Sequence, residues 1–260
     1  VRADESAFAT LPAPLLPSTA SPFGILITGV GGTGVVTIGA LIGMAAHLDG
    51  KGVTVLDMTG LAQKGGSVFS HVRIADEPAA LHSVRIAAGE ANTLIGGDLI
   101  VSASVEALAK MSASRTRAVV NLAETPTADF THDPDWVFPQ QRMVDTLREA
   151  TAPESRFLNA RELALALLGD AIATNLFLLG HAWQMGWVPV SEAALMEAIE
   201  LNATAVDMNR QAFLWGRRAA HDLPAVLRAA HIRTAPAAAA NLDSLILQRS
   251  EELLAYQDAA

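Results

Sequence analysis

The pattern of apolar and polar positions changes character part-way along the chain. In the first half, apolar residues come in short runs cut by glycine, such as "GILIT" at 24–28, "KGVTVLD" at 51–57 and "RAVVNLA" at 117–123. Runs of this length read as strands, and runs without alternation read as strands buried on both faces of a parallel sheet. The pattern predicts strands over 24–28, 51–57, 67–75, 98–104 and 117–123. It predicts a helix over 33–47 and a short one in "VEALAKMS". The segment "SVFSHVRIA", 67–75, alternates, so one face is expected to carry Phe69, His71 and Arg73, open to an acidic partner group.

From about Gln140 the apolar spacing becomes helical. A last strand is expected in "RFLNA", 156–160, and a long helical stretch over 191–220. Ser191 is its N-cap, with Glu192 following. The most apolar stretch, 163–183, is interrupted by Gly169, Asp170, Asn175 and His181 and has no basic flank, so it reads as a buried helix pair rather than a membrane span. Strand–helix–strand units followed by helices point to an α/β layered sheet with a helical C-terminal part. The expected division is a linker over 1–22, one domain over 23–222, and a linker with the start of a following module over 223–260. The chain reads as a piece of a longer protein.

Composition narrows the function. The chain of 260 residues is 51% apolar with a net charge of −9, which suits a folded core and argues against nucleic-acid phosphates as partners. It contains no cysteine, which excludes disulfides, cysteine-ligated zinc and iron–sulfur clusters within it. The seven histidines show no metal-ligand spacing and no nucleophile elbow appears, so no catalytic or metal residue is assigned. No signal peptide is evident, and a cytoplasmic setting is expected.

One motif carries chemistry. In "GILITGVGGTGVVTIGALIG", 24–43, Gly29, Gly31 and Gly34 form G-x-G-x-x-G between a strand and a helix, with Gly32 and Thr33 inside it. Such glycines allow a tight turn and bring backbone N–H groups and a helix N-terminus to an anion. Asp57 follows Gly34 by about 23 residues, near the place of a ribose-binding acid. A free-standing NAD(P)- or FAD-binding oxidoreductase therefore stays open at this point, beside a close-packed turn without ligand. A second glycine cluster, "GLAQKGG", sets Lys64 beside Gly65 and Gly66 as a cationic loop suited to a phosphate or an interface.

The turn "TGVGGTGVVTIGALIGMAA" followed by "GKGVTVLDMTGLAQKGGSVFSHVRI" resembles the gamma domain of the 2-oxoacid:ferredoxin oxidoreductases, nearest to the large fused bacterial indolepyruvate ferredoxin oxidoreductases. The similarity continues through "VRIAAGEANTLIGGDLIVSAS", "AVVNLAETPTADFT", "LLGDAIATNLFLLGHAWQ" and "AIELNATAVDMNRQAFLWGRRAA". The resemblance implies a three-layer Rossmann-like domain of the pyruvate-ferredoxin oxidoreductase domain III type. It implies a part in oxidative decarboxylation of a 2-oxoacid to an acyl-CoA, with electrons passed to ferredoxin. Thiamine diphosphate, magnesium and [4Fe-4S] clusters would sit in other domains of an oligomeric enzyme, leaving this chain inactive alone. Coenzyme A is the candidate ligand of this chain, at Gly29, Gly31, Gly32, Thr33, Gly34, Lys64, Gly65 and Gly66.

Overall fold

A central strand, β1 (Phe23–Val30), organises the computed structural model, which describes residues 11–59, 66–123 and 138–232. β1 is buried along nearly its whole length because packed layers cover both of its faces. β3 (Ser67–Ala75) runs antiparallel to it, with Ile25 opposite Val72. β4 (Thr93–Gly96) runs parallel, with Ile25 opposite Thr93. β2 (Gly52–Thr59) lies outside β3, while β5 (Arg117–Asn121) and β6 (Arg156–Leu158) follow β4 in parallel. The result is a six-stranded mixed sheet of order β2-β3-β1-β4-β5-β6.

Side chains alternate between the faces of a strand, and the two faces build two cores. Ile25, Ile27, Ile95 and Val119 pack under α1 (Val35–Leu48), α5 (Ala160–Leu168), α6 (Thr174–Gln184), α7 (Glu192–Asn202), α8 (Val206–His221) and α9 (Leu223–Ala229). Leu26, Leu94, Ala118 and Val120 pack under α2 (Leu99–Ser102), α3 (Val105–Leu108) and α4 (Gln140–Ala150). The three-layer α/β architecture with a helical C-terminal part is thus the one expected.

Several elements differ from the expectation. The segment 98–104 is not a strand. The strand is β4, just before it, and Asp98 turns the chain into α2 by accepting the Val101 N–H at 2.9 Å. Ser102 then bonds back to the Asp98 carbonyl at 2.5 Å, so a β-branched run is held helical by its cap. β2 is not a buried parallel strand but an antiparallel edge, with Val55 38% exposed. β3 keeps no open polar face, because the segment 83–86 lies across it: the Ile86 N–H donates to His71 Nδ1 at 3.3 Å and Arg73 donates to the Ser83 carbonyl at 3.1 Å. Phe69 joins the second core and His71 is buried, so Phe69, His71 and Arg73 present no free docking face. The helical stretch 191–220 divides into α7 and α8 at Ala203 and Ala205, both left-handed, while Ser191 caps α7 through the Ala194 N–H as expected. The 163–183 stretch is the helix pair foreseen, with α5 ending at the left-handed Gly169. Among the described residues no helix is long and apolar enough to cross a membrane.

α6 and α8 pack closely against each other. A Cβ on Gly180 would overlap the Phe213 carbonyl, and one on Gly216 would overlap the Phe177 carbonyl, so the helices cross backbone to backbone. Arg217 locks this crossing to α7. Its guanidinium stacks 4.7 Å from the Trp183 ring centroid, pairs with Glu192 and donates to Gln184 at 2.9 Å. Residues 11–22 lie along the domain, with Gln184 donating to the Pro12 carbonyl at 2.7 Å and Thr19 bonded to Asp76.

Candidate functional site at the carboxyl edge of the sheet

β1, β4 and β5 run in one direction, so Val30, Gly97 and Asn121 meet at a single edge. Here the connections diverge. β1 returns through α1 toward β2 on one side, and β4 continues toward β5 on the other. Such a switch point leaves a crevice outside the strand ends. The crevice is a cleft of about 340 Å³, walled by the glycine turn, by Gly97–Asp98, and by residues 171–175 with Arg161.

The turn has the conformation its glycines permit. Gly32 and Gly34 have φ of +86° and +93°, a region that L side chains rarely adopt. A Cβ on Gly29 would come within 2.6 Å of Val35 Cγ2, so that glycine lets α1 pack close on β1. The Gly31 N–H is bonded to the Gly66 carbonyl at 2.9 Å, which sets the second glycine segment against the first. The Thr33 hydroxyl does not face outward as a donor; it bonds to the Val30 carbonyl at 2.7 Å and closes the turn. The first turn of α1 has no side-chain cap and no acidic residue, so its N-terminal dipole is not neutralised locally. Lys64 and Gly65 lie outside the described residues.

Three further residues shape the cleft. Asn175, at the start of α6 and 4% exposed, donates its side-chain amide to the Thr33 carbonyl. Asn121, also 4% exposed, donates to the Gly97 carbonyl at 3.1 Å and accepts the Arg161 N–H at 3.2 Å. Arg161 is exposed at the mouth. Sequence reasoning passed over all three, although Asn121 in "RAVVNLA" and Asn175 in "ATNLFLLG" are amides set in apolar runs, where burial requires a partner. Asp98 brings a carboxylate to the same wall, held on the Val101 N–H.

Two residues singled out earlier stand elsewhere. Asp57 is opposite Ser70 on β2, separated from β1 by the whole of β3. In a dinucleotide fold the acidic strand adjoins the glycine-turn strand, so Asp57 is not a ribose acid for this turn. His71 is enclosed within the sheet layer. Its Nδ1 accepts the Ile86 N–H at 3.3 Å, and burial, with Arg85 and Lys110 nearby, lowers its pKa to about 4. Among the described residues no cluster of side chains could hold a metal ion.

The arrangement has known counterparts. Residues 24–219 match the pyruvate ferredoxin/flavodoxin oxidoreductase family. The chain belongs to this family. Indolepyruvate oxidoreductase subunit IorB of Methanothermobacter thermautotrophicus is 30% identical over 200 residues, spanning 76% of this chain and 97% of that subunit. The IorB of Pyrococcus horikoshii is 30% identical over 207 residues, with 77% and 97% covered. Among solved structures, the gamma subunit of a keto/oxoacid ferredoxin oxidoreductase from Geobacter sulfurreducens superposes with a TM-score of 0.54 at 21% identity, over 76% of this chain and 98% of that one. A 2-oxoglutarate:ferredoxin oxidoreductase from Magnetococcus marinus, solved with 2-oxoglutarate, coenzyme A and succinyl-CoA bound, gives 0.56 at 18% identity, over 77% of this chain and 31% of that one. These two share the fold of this oxidoreductase domain. The NAD(P)- or FAD-dependent alternative is not favoured by any of these relationships.

Proposed function

We propose that this chain is the gamma domain of an indolepyruvate-type ferredoxin oxidoreductase. The enzyme decarboxylates an aryl pyruvate, passes two electrons to ferredoxin and releases the acyl group as its CoA thioester. The observation that carries this is the match to IorB subunits along almost their whole length. The [4Fe-4S] clusters belong to partner domains, because this chain has no cysteine to ligate iron, and thiamine diphosphate and magnesium are assigned to partner domains with them. A linker over 1–22, a domain over 23–222 to which α9 is added by its packing, a linker and the start of a following module after α9, and a cytoplasmic, oligomeric enzyme are parts of the same proposal.

In this reading the cleft takes the phosphates of coenzyme A. The residues fit that group. Gly32 and Gly34 carry no side chain beside an uncapped helix start, and Arg161 supplies a cation whose guanidinium bonds no described residue. Lys64, Gly65 and Gly66 would close the site from the second glycine loop. The gamma domain then holds a substrate, while the bond-breaking groups are elsewhere.

The test is ferredoxin reduction by the complete enzyme assembled with its thiamine-binding partner. Indolepyruvate and other aryl pyruvates should support reduction that needs CoA, and pyruvate and 2-oxoglutarate should be poor substrates. Arg161→Gln should raise KM for CoA about tenfold, since a hydrogen bond to a charged group contributes roughly 1.5–3 kcal/mol. KM for the 2-oxoacid should stay unchanged. Reduction driven by pyruvate but not by aryl pyruvates would overturn the substrate assignment, and an unchanged CoA dependence would overturn the cleft.

A further inference from the structure

The glycine turn does not hold its shape through its own chain alone. We infer that Asn175 is a positioning residue, which sets the turn 31–34 for its ligand by tying it to α6 and to the turn after β4. The inference rests on the proposal that this turn meets coenzyme A, and it adds a residue that does not belong to the glycine motif.

The geometry is specific. Asn175 stands in the first turn of α6, with its side chain buried. Its Nδ2 donates to the Thr33 carbonyl, the peptide group immediately before the left-handed Gly34. A Cβ on Gly34 would come within 3.3 Å of the same Nδ2, so the amide packs directly against the turn. On its other side, Asn175 Oδ1 lies 2.8 Å from where a Cβ on Gly97 would stand. Gly97 is itself fixed, its N–H donating to the Thr28 carbonyl at 2.7 Å and its carbonyl receiving the Asn121 amide at 3.1 Å. One side chain therefore bridges the two loops that wall the cleft.

The bond to Thr33 has a directional consequence. It fixes which way the 33–34 peptide points: its carbonyl is turned to α6, so its N–H side is turned away from Asn175. A peptide held this way cannot flip its carbonyl oxygen toward an anion, where it would repel a phosphate. Motif glycines allow that flip, since they tolerate both signs of φ. A buried amide donor on the carbonyl is what opposes it. No main-chain partner among the described residues takes over this task, because the bonds within the turn, from Thr33 N–H and Thr33 hydroxyl, both go to Val30.

The experiment compares wild-type complete enzyme with Asn175→Asp and Asn175→Ala. The aspartate keeps the shape but, ionised, has no proton to donate to the Thr33 carbonyl; the alanine removes the bridge without adding charge. Hydrogen exchange without CoA should speed up at least tenfold at the Gly31 and Thr33 amides in both variants, with core strands β1 and β4 unchanged. KM for CoA should rise at least tenfold in both, while KM for the 2-oxoacid and the CoA-independent decarboxylation step stay within twofold. Wild-type exchange at the turn in both variants would overturn the inference. So would a uniform rise in exchange across the core with kcat and both KM values altered alike, the mark of a merely structural residue. Adding CoA to wild-type enzyme separates the two proposals. If CoA leaves turn exchange unchanged, the CoA assignment fails, and the CoA-free comparison still decides whether Asn175 holds the turn.

Discussion

Two histidines are kept neutral inside the fold. His71 is 1% exposed and His181 is 3% exposed, and burial lowers each pKa from 6.5 to about 4, with Arg85 and Lys110 adding to the effect on His71 and Arg156 to that on His181. One nitrogen on each, Nε2 of His71 and Nδ1 of His181, has no hydrogen-bond partner among the described residues, so neither ring gains a contact by taking up a proton. The sign follows from linkage. Between pH 6.5 and 4 the unfolded chain binds these protons and the folded one does not, so stability is full above pH 6.5 and falls as the pH drops toward 4. By pH 5 each histidine should have removed about 2 kcal/mol. Urea unfolding from pH 7 to 5 should show the decline, and His71→Gln or His181→Gln should each flatten it. An equally steep decline in both variants would locate the effect in other groups. Sequence alternation placed His71 on an open face, whereas in the fold that face is covered. Alternation shows that two faces differ, but not that both are covered, since covering comes from residues distant in the chain.

Elements were legible where the cause is local. Ser191 caps α7 through its own third neighbour, and Gly169 ends α5 by its own φ of +78°. They were misread where β-branched runs compete with a cap, as after Asp98, or where an edge strand is as apolar as a central one, as in β2. The meeting of α6 and α8 shows the same divide. Gly180 and Gly216 sit inside helices for a reason visible only when the helices cross. Gly180→Ala or Gly216→Ala forces a methyl into a backbone carbonyl and should cost about 3 kcal/mol or more, at the upper end of overpacking. Gly169→Ala has open space around its Cβ and meets only the left-handed penalty, about 1–2 kcal/mol. Urea midpoints on the three variants check the ranking. Comparable losses at Gly169 and Gly180 would mean that the helices relax apart without cost.

At the scale of the molecule, the layers followed from the order of elements, but the strand order did not. β3 enters between β1 and β2, and this one insertion removes Asp57 from the glycine turn and makes β2 an edge. No local signal announces it, because a strand's neighbours are chosen by the face it can bury. The cleft has the same origin: the glycines were readable, whereas Asn121, Arg161 and Asn175 arrive from three elements that only the topology brings together. The far end of the domain is set by packing too. The family match ends at residue 219, yet Val226 of α9 is fully buried in the first core and Ala230 is 8% exposed beside it. α9 begins where Asp222 caps it through the Ala225 N–H at 3.0 Å, so the helix is continuous with the domain rather than with a linker. Removing residues after 222 would strip that buried valine and the partly buried Leu223 and Leu227 from the core. At about 1.5–3 kcal/mol for a fully buried aliphatic side chain, a chain ending at 222 should be less stable by at least about 3 kcal/mol than one ending at 232. Thermal unfolding of the two truncations decides it. Equal midpoints would make α9 an appendage, and a lower midpoint only for the shorter chain would put the end of the folded unit after α9.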